Sequence, residues 1–450
     1  MAVFLYLQIT RFRKMKLFCR SLLLASMLLS AATGASSQNE AAIRQRIAED
    51  PEYAASVYHP YVFPEIHDTP APKGFKAFYI SHYSRHGSRH QAEANANRGY
   101  NILKAASEAG ILSDKGKEVY ADVKALYEDH IGQFGDLSPR GVEEHRTLAR
   151  RMKKRFPTVF SDRKRRDVFC LSSNFPRCLM SMTSFTTSLQ KEVPELNFDF
   201  VTGDKYFQIL AHDFYKAKEI FRSDEELFDS LVRVNVNPER IMKEWFIHDN
   251  GRVGAVMTDT TRFIKGMFTI GAICGCIDYM GIQLFSKYFT TDELTGMYIS
   301  YNNRICGNYG NTIEFGDRCN WAAKWLLEDF VTRADRAIQS GSTMAADLRF
   351  GHDTGVMPLA ALIGMEGFNR KFPRAEAHKY FDTSRQMTMG TNLQMIFYRN
   401  KKGEVLVKFL YNEEETTLPA VPSINGVYYD WNVLRAYLEP LFTDKTPPQI

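Results

Sequence analysis

Phe75–Arg89, FKAFYISHYSRHGSR, joins a strand-like run to a cluster of two arginines and a histidine. Phe75, Ala77 and Tyr79 alternate with Lys76, Phe78 and Ile80 as in a mostly buried strand, and Gly87 ends the pattern. Arg85-His86-Gly87-Ser88-Arg89 follows, an imidazole between two guanidiniums on a turn loosened by glycine. Each guanidinium offers a planar fork of donors that matches phosphate oxygens, and glycine lets backbone N–H groups approach closely. These residue types at a strand end suit attack on phosphorus, with His86 as the nucleophile.

Such a site needs another cation, a second strand-end histidine and an acid for the leaving alcohol. Gly351-His352-Asp353-Thr354-Gly355, after the strand-like Ala345 to Phe350, supplies the histidine and the acid. Arg177 supplies the cation, just beyond the strand-like Asp167 to Leu171 and the Ser172-Ser173-Asn174 turn. Three strand ends that each present polar residues predict an open α/β sheet with its site at the carboxyl ends of the strands.

These three fragments, RHGSR at 85–89, SSNFPR at 172–177 and the HD pair at 352–353, resemble in sequence and order the histidine acid phosphatase branch (clade 2) of the histidine phosphatase superfamily. The similarity runs from about Phe75 to about Glu413, and LSPRGVEEHRTLARRMKKRFPTVF at 137–160 resembles the inositol polyphosphate phosphatases and phytases of that branch. Two departures stand out. Gln91 occupies a place where the family often has proline, and His352-Asp353-Thr354 replaces the His-Ala-Glu frequent in the inositol polyphosphate group.

The resemblance implies a mainly parallel central sheet flanked by helices, phosphoglycerate mutase-like, with an inserted helical cap. It implies a phosphomonoesterase working through a phosphohistidine on His86, with Asp353 as acid and then base. Arg85, Arg89, Arg177 and protonated His352 would bind the phosphoryl oxygens, and no metal or cofactor is required. An inositol polyphosphate such as phytate is the favoured substrate. The HD pair keeps a broad-specificity acid phosphatase or a sugar-phosphate phosphatase as the alternative, and a phosphorylated-ligand binding protein without turnover is the rival from another class.

The 450 residues, 44% hydrophobic and 24% charged, suffice for a large core, and a net charge of +5 is far from the basic density of a nucleic-acid binder. Lys16 to Ser37 has the basic start, apolar core and small-residue end of a secretory signal, and its apolar run is shorter than the roughly 20 residues of a membrane span. The expectation is therefore an exported protein, periplasmic or extracellular, with no stable span after cleavage. The expected organisation is a signal at 1–37, a lead-in at 38–74, an α/β core at 75–194 and 342–415, a helical cap at 195–341 and a C-terminal tail at 416–450 packed on the core.

Within the cap range, Phe263 to Phe285 is apolar, but Lys265, Asp278 and several glycines favour a buried helix pair. Export permits disulfides among Cys170, Cys178, Cys274, Cys276, Cys306 and Cys319, with Cys306–Cys319 the local candidate; buried thiols are the competing reading. The basic residues at 150–155 and 163–166 read as a solvated helix face and loop.

Two further chemistries have weaker support. His82, His86 and His90 fall at a helical metal-ligand spacing, which Gly87 and the strand-like run oppose. Ser84 and Ser88 flank the histidine, but no GxSxG elbow is present for a serine hydrolase.

Overall fold

The computed structural model describes residues 40–210, 218–247 and 250–448, so the signal reading at 1–37 lies outside the described residues. Eight strands form one sheet: β1 (Lys76–Arg85), β2 (Asp167–Ser172), β3 (Asn197–Thr202), β4 (Met344–Gly351), β5 (Asn392–Arg399), β6 (Val405–Tyr411), β7 (Glu414–Thr416) and β8 (Tyr428–Asp430). The order is β3-β2-β4-β1-β5-β6-β7, with β8 also on β6.

The sheet is mixed, which corrects the mainly parallel sheet expected from the resemblance. The β3/β2, β2/β4 and β4/β1 pairs are parallel, whereas β1/β5, β5/β6, β6/β7 and β6/β8 are antiparallel. The cause is local. Helical crossovers separate β1 from β2 and β3 from β4, as parallel pairing demands, while the short Asn400-Lys401-Lys402-Gly403 turn joins β5 to β6 as a hairpin. That hairpin docks on β1 and makes half of the sheet antiparallel.

Alternation along each strand sends side chains to two cores. Tyr79, Tyr83, Phe169, Leu171, Leu393, Met395 and Phe397 face one of them; Ile80, Val168, Cys170, Leu348, Phe350 and Ile396 face the other. β4 also points Asp347 and Arg349 into the first. There Arg349 pairs with Asp329 at 2.6 Å, and Asp347 accepts from Arg333 at 3.1 Å.

The longer helices are α1 (Glu93–Glu108), α2 (Asp114–His130), α3 (Pro139–Arg155), α4 (Pro176–Glu192), α5 (Lys218–Asn235), α6 (Thr260–Ala272), α7 (Thr291–Tyr309), α8 (Lys324–Ala337), α9 (Asp353–Leu362) and α10 (Trp431–Thr443). Ser138 caps α3, its side chain accepting the Gly141 N–H, with Pro139 in the first turn. Buried residues of α6 and α7 join the first core without a break, so the helical stretch and the sheet share one apolar cluster. α6 and Cys274–Met280 form a bent pair at 57°, and among the described residues no single helix is long and apolar enough to cross a membrane.

All six cysteines of the described region are buried. The local Cys306–Cys319 bridge is not formed: the Cys319 thiol donates to the Asn308 carbonyl at 3.0 Å. The basic run is more than a solvated face. Arg151 pairs with Glu413 at 2.8 Å and Arg155 with Asp68 at 2.9 Å, and Arg165 donates to the carbonyls of Ala337 and Met344. These cations tie α3 and the following loop to neighbouring segments.

Candidate active site

The strand register assembles the site. Arg85 at the end of β1 stands opposite Gly351 of β4, and Ser172 of β2 stands opposite Phe350. The ladder continues past the strands, since the His86 N–H donates to the Gly351 carbonyl at 2.9 Å and the Ser173 N–H to the Phe350 carbonyl at 3.0 Å. The segments after β1, β2 and β4, which carry His86, Arg177 in the first turn of α4, and His352, therefore leave one edge of the sheet side by side, which is the convergence inferred from the three strand ends.

Arg85 is buried, and its guanidinium donates to the carbonyls of Val57, Met387 and Thr388 while its other end lies 3.1 Å from Asp353 Oδ2. Asp353 opens α9, and its Oδ1 accepts the Thr354 N–H at 3.0 Å. The rings of His86 and His352 are 5.7 Å apart. Arg177 lies over the Phe175 ring, which meets His352 edge-on at 5.0 Å, and Arg89 lies over Tyr58 and donates to the His90 carbonyl.

The electrostatics follow from this crowding. Burial pushes the His86 ring well below the ordinary histidine range, and Arg177, Arg85 and Arg89 push it further. His352 is held at about 3, first by burial and then by Arg177, with Asp353 opposing. Both rings are thus neutral at the pH of most enzymes. A neutral ring whose Nδ1 lies 3.0 Å from the Gly87 carbonyl must carry its proton there, which places the lone pair of His86 on Nε2.

Sequence reasoning did not find the residues that shape the loop. Glu144 of α3 is buried and accepts from the Ser88 N–H and the Ser88 hydroxyl, each at 2.7 Å, and from the Tyr61 N–H at 3.1 Å. Burial raises its pKa while these bonds oppose the rise. Gly141 lies one turn before it, and a Cβ there would sit 2.1 Å from the Ser88 carbonyl. Gly87 meets Gly141 from the other side, so two glycines let helix and loop touch backbone to backbone. Ser181 of α4 accepts the Gly87 N–H at 3.1 Å. The SPRG start of α3 is a local capping signal; its role against the loop is a tertiary fact.

The helical metal-ligand spacing does not persist in three dimensions. His82 lies within β1 against Phe185 and Phe350, while His90 faces the Asp136 carbonyl at 3.1 Å and the Tyr279 hydroxyl at 3.0 Å. Among the described residues no group of three or more His, Cys, Asp or Glu side chains is arranged to hold a metal ion.

His82 is buried with no hydrogen-bond partner at either ring nitrogen, its neighbour His145 is buried with the Arg85 backbone as its opposing contact, and burial lowers each from 6.5 to about 3. Because the folded pKa lies below the unfolded one, the unfolded chain binds the extra proton between these values. Stability from each ring is therefore complete above 6.5 and is lost as pH falls towards 3, by about 1.4 kcal/mol per pH unit. In urea melts from pH 7.5 to 3.5, His145→Leu should gain on the wild type by that slope below pH 6.5. A constant difference would mean that His145 is already charged or partnered in the fold.

Comparison with known proteins bears on the family and the fold. Residues 83–235 match the description of the histidine phosphatase superfamily (branch 2). Multiple inositol polyphosphate phosphatase 1 of Gallus gallus is 23% identical over 349 residues, covering 73% of this chain and 75% of that protein. A Bifidobacterium longum multiple inositol polyphosphate phosphatase, solved with inositol hexasulfate, superposes with a TM-score of 0.69 at 16% identity, over 86% of this chain and 97% of the other. The phytase of D. castellii superposes with a TM-score of 0.62 at 13% identity, over 87% and 85%. At these identities the superpositions establish the fold. Residues 83–235, which hold the His86 loop and the Arg177 helix, are similar to branch 2 of the histidine phosphatase superfamily, and together these likenesses support a phosphoric monoester hydrolase of the histidine acid phosphatase type.

Proposed function

We propose that the enzyme hydrolyses inositol polyphosphates such as phytate in two displacements at phosphorus. The observation that carries the mechanism is the neutral His86 ring, tied through Nδ1–H to the Gly87 carbonyl with its lone pair on Nε2. Nε2 attacks phosphorus, the P–O ester bond breaks, and Asp353 gives its proton to the departing alkoxide. Water then attacks the phosphohistidine, passing a proton to Asp353, and phosphate leaves. Arg85, Arg89, Arg177 and His352 hold the non-bridging oxygens throughout, and most of the acceleration comes from this preorganised clamp. The three guanidiniums supply cations for the transfer, so chelation is expected to leave the rate unchanged.

The inositol polyphosphate assignment is supported by the likeness of 137–160 to that group and by the relatives above. The His352-Asp353-Thr354 sequence is the feature that favours a broader acid phosphatase. In the domain organisation we propose, the cap range 195–341, whose first residues form β3 of the sheet, covers the site with its helices and shapes substrate choice, and the chain is exported.

Phosphate release from phytate and from p-nitrophenyl phosphate, compared from pH 3 to 8 with chelator present, tests the reading. The lowered pKa of His86 keeps the nucleophile unprotonated far below the ordinary histidine range, so its loss sets no limit on activity until strongly acid pH. Asp353 can act as the acid only while it carries its proton, so the rate falls on the other side as pH rises. An optimum below neutral pH is expected, with turnover of phytate at low micromolar concentration. Activity on the aryl ester alone would establish the broader acid phosphatase. An optimum well above pH 7.5 would remove Asp353 as the acid.

A further inference from the structure

Ser173 lies beside the proposed phosphoryl site and has no role in the mechanism above. It is 2% exposed, and its hydroxyl is 3.0 Å from His352 Nε2. Its backbone is fixed independently, because its N–H donates to the Phe350 carbonyl and its carbonyl accepts the Ser172 hydroxyl at 2.9 Å. The hydroxyl can therefore be removed without releasing the chain. The other contact of Nε2 is the Cys178 sulfur, a weak donor and acceptor. The Cys178 thiol donates to the Gly351 carbonyl at 3.3 Å and lies 3.7 and 4.0 Å from the two ring nitrogens, and Phe175 meets the ring edge-on. Burial keeps that thiol protonated, at about 11.

We infer that Ser173 is a positioning residue for the phosphoryl site, orienting the His352 ring through Nε2 in both its neutral and its protonated forms. The inference rests on the phosphatase reading of the site. In the empty pocket the Ser173 O–H donates to Nε2, so the ring proton stays on Nδ1 and that nitrogen points its donor away from the serine. When a phosphate dianion enters, its charge offsets Arg85, Arg89 and Arg177, which together with burial keep the free ring neutral. The ring then takes one proton from solvent at Nε2. The serine hydroxyl rotates and accepts Nε2–H, while Nδ1–H remains for a phosphoryl oxygen. A hydroxyl can serve both states because it is donor and acceptor at once; an alanine would leave Nε2 with only the weak contact to the Cys178 sulfur. The charged and titratable groups that face His352 are Arg85, His86, Arg89, Arg177, Cys178 and Asp353, and all are present in every variant compared.

The test is competitive inhibition by inorganic phosphate from pH 4 to 7.5 in wild type, Ser173→Ala, Ser173→Thr and His352→Ala, with thermal melting of each. Comparing proteins at the same pH cancels the titration of phosphate itself. Ser173→Ala should bind phosphate about 10-fold more weakly near pH 5, as expected for one lost bond to a charged ring. Its affinity should also decline at lower pH than in the wild type, because the protonated ring has lost its acceptor. Ser173→Thr should retain the wild-type profile. An alanine variant with wild-type affinity and profile, or a threonine variant that behaves like alanine, overturns the inference. So does a parallel loss of stability and affinity with an unmoved profile. If the wild type turns over no phosphate monoester and His352→Ala leaves phosphate binding unchanged, the phosphatase reading of the site fails instead.

Discussion

His86→Ala is expected to lower kcat on any phosphate monoester by on the order of 10⁵-fold, because removing a covalent nucleophile leaves only binding and the electrostatic clamp. The remaining side chains do not replace it. Ser88 is committed to Glu144 through both its N–H and its hydroxyl, and Ser84 donates to the Arg85 carbonyl at 2.9 Å. The Cys178 thiol is held protonated by burial, which makes it a poor nucleophile. Rapid quench with labelled substrate checks the prediction. Wild type should carry phosphate on protein in an acid-labile, base-stable form, and the variant should carry none. A labelled His86→Ala protein, or one with a tenth of wild-type kcat, would place the nucleophile elsewhere.

The second large effect is expected at Asp353, and it should depend on the leaving group. Asp353→Asn can still accept the Thr354 N–H and sit beside Arg85, but it has no carboxyl proton to give. Loss of a general acid costs typically ~10²–10⁴-fold. That loss should appear in full on phytate or an alkyl phosphate, whose alkoxide needs the proton as it departs. On p-nitrophenyl phosphate the first step should be nearly unaffected, because the phenolate leaves unaided. The second step still lacks a base for water, so phosphoenzyme should accumulate and nitrophenol should appear as a burst of one equivalent. Equal losses on both substrates without a burst would assign proton transfer to another group.

Most of the proposed chemistry was legible before the fold was known. RHGSR, SSNFPR and HD each end a strand-like run, and strands followed by helices require parallel pairing with their carboxyl ends on one edge. The helix start at Ser138-Pro139 is local in the same way, since capping is set by neighbours in sequence. Pairings between distant segments were not. Nothing in Asn392–Tyr411 states that its hairpin will dock against β1, and that contact alone turns a parallel sheet into a mixed one. The basic residues of α3 illustrate the same limit: Arg151 and Arg155 read as solvated until Glu413 and Asp68 are brought to them.

The sequence by itself thus determined which residue types are available for phosphoryl transfer and which strand ends carry them, because local periodicity and turn chemistry extend over only a few residues. Tertiary structure decided the rest. It set the protonation of His86 and His352, through burial and three arginines from separate segments. It set the shape of the His86 loop, through Glu144 and the Gly87–Gly141 contact. It also brought Ser173 to His352, across 179 residues of chain. Desolvation and Coulomb interactions act through space, so a charge state is a property of what the fold packs around a side chain.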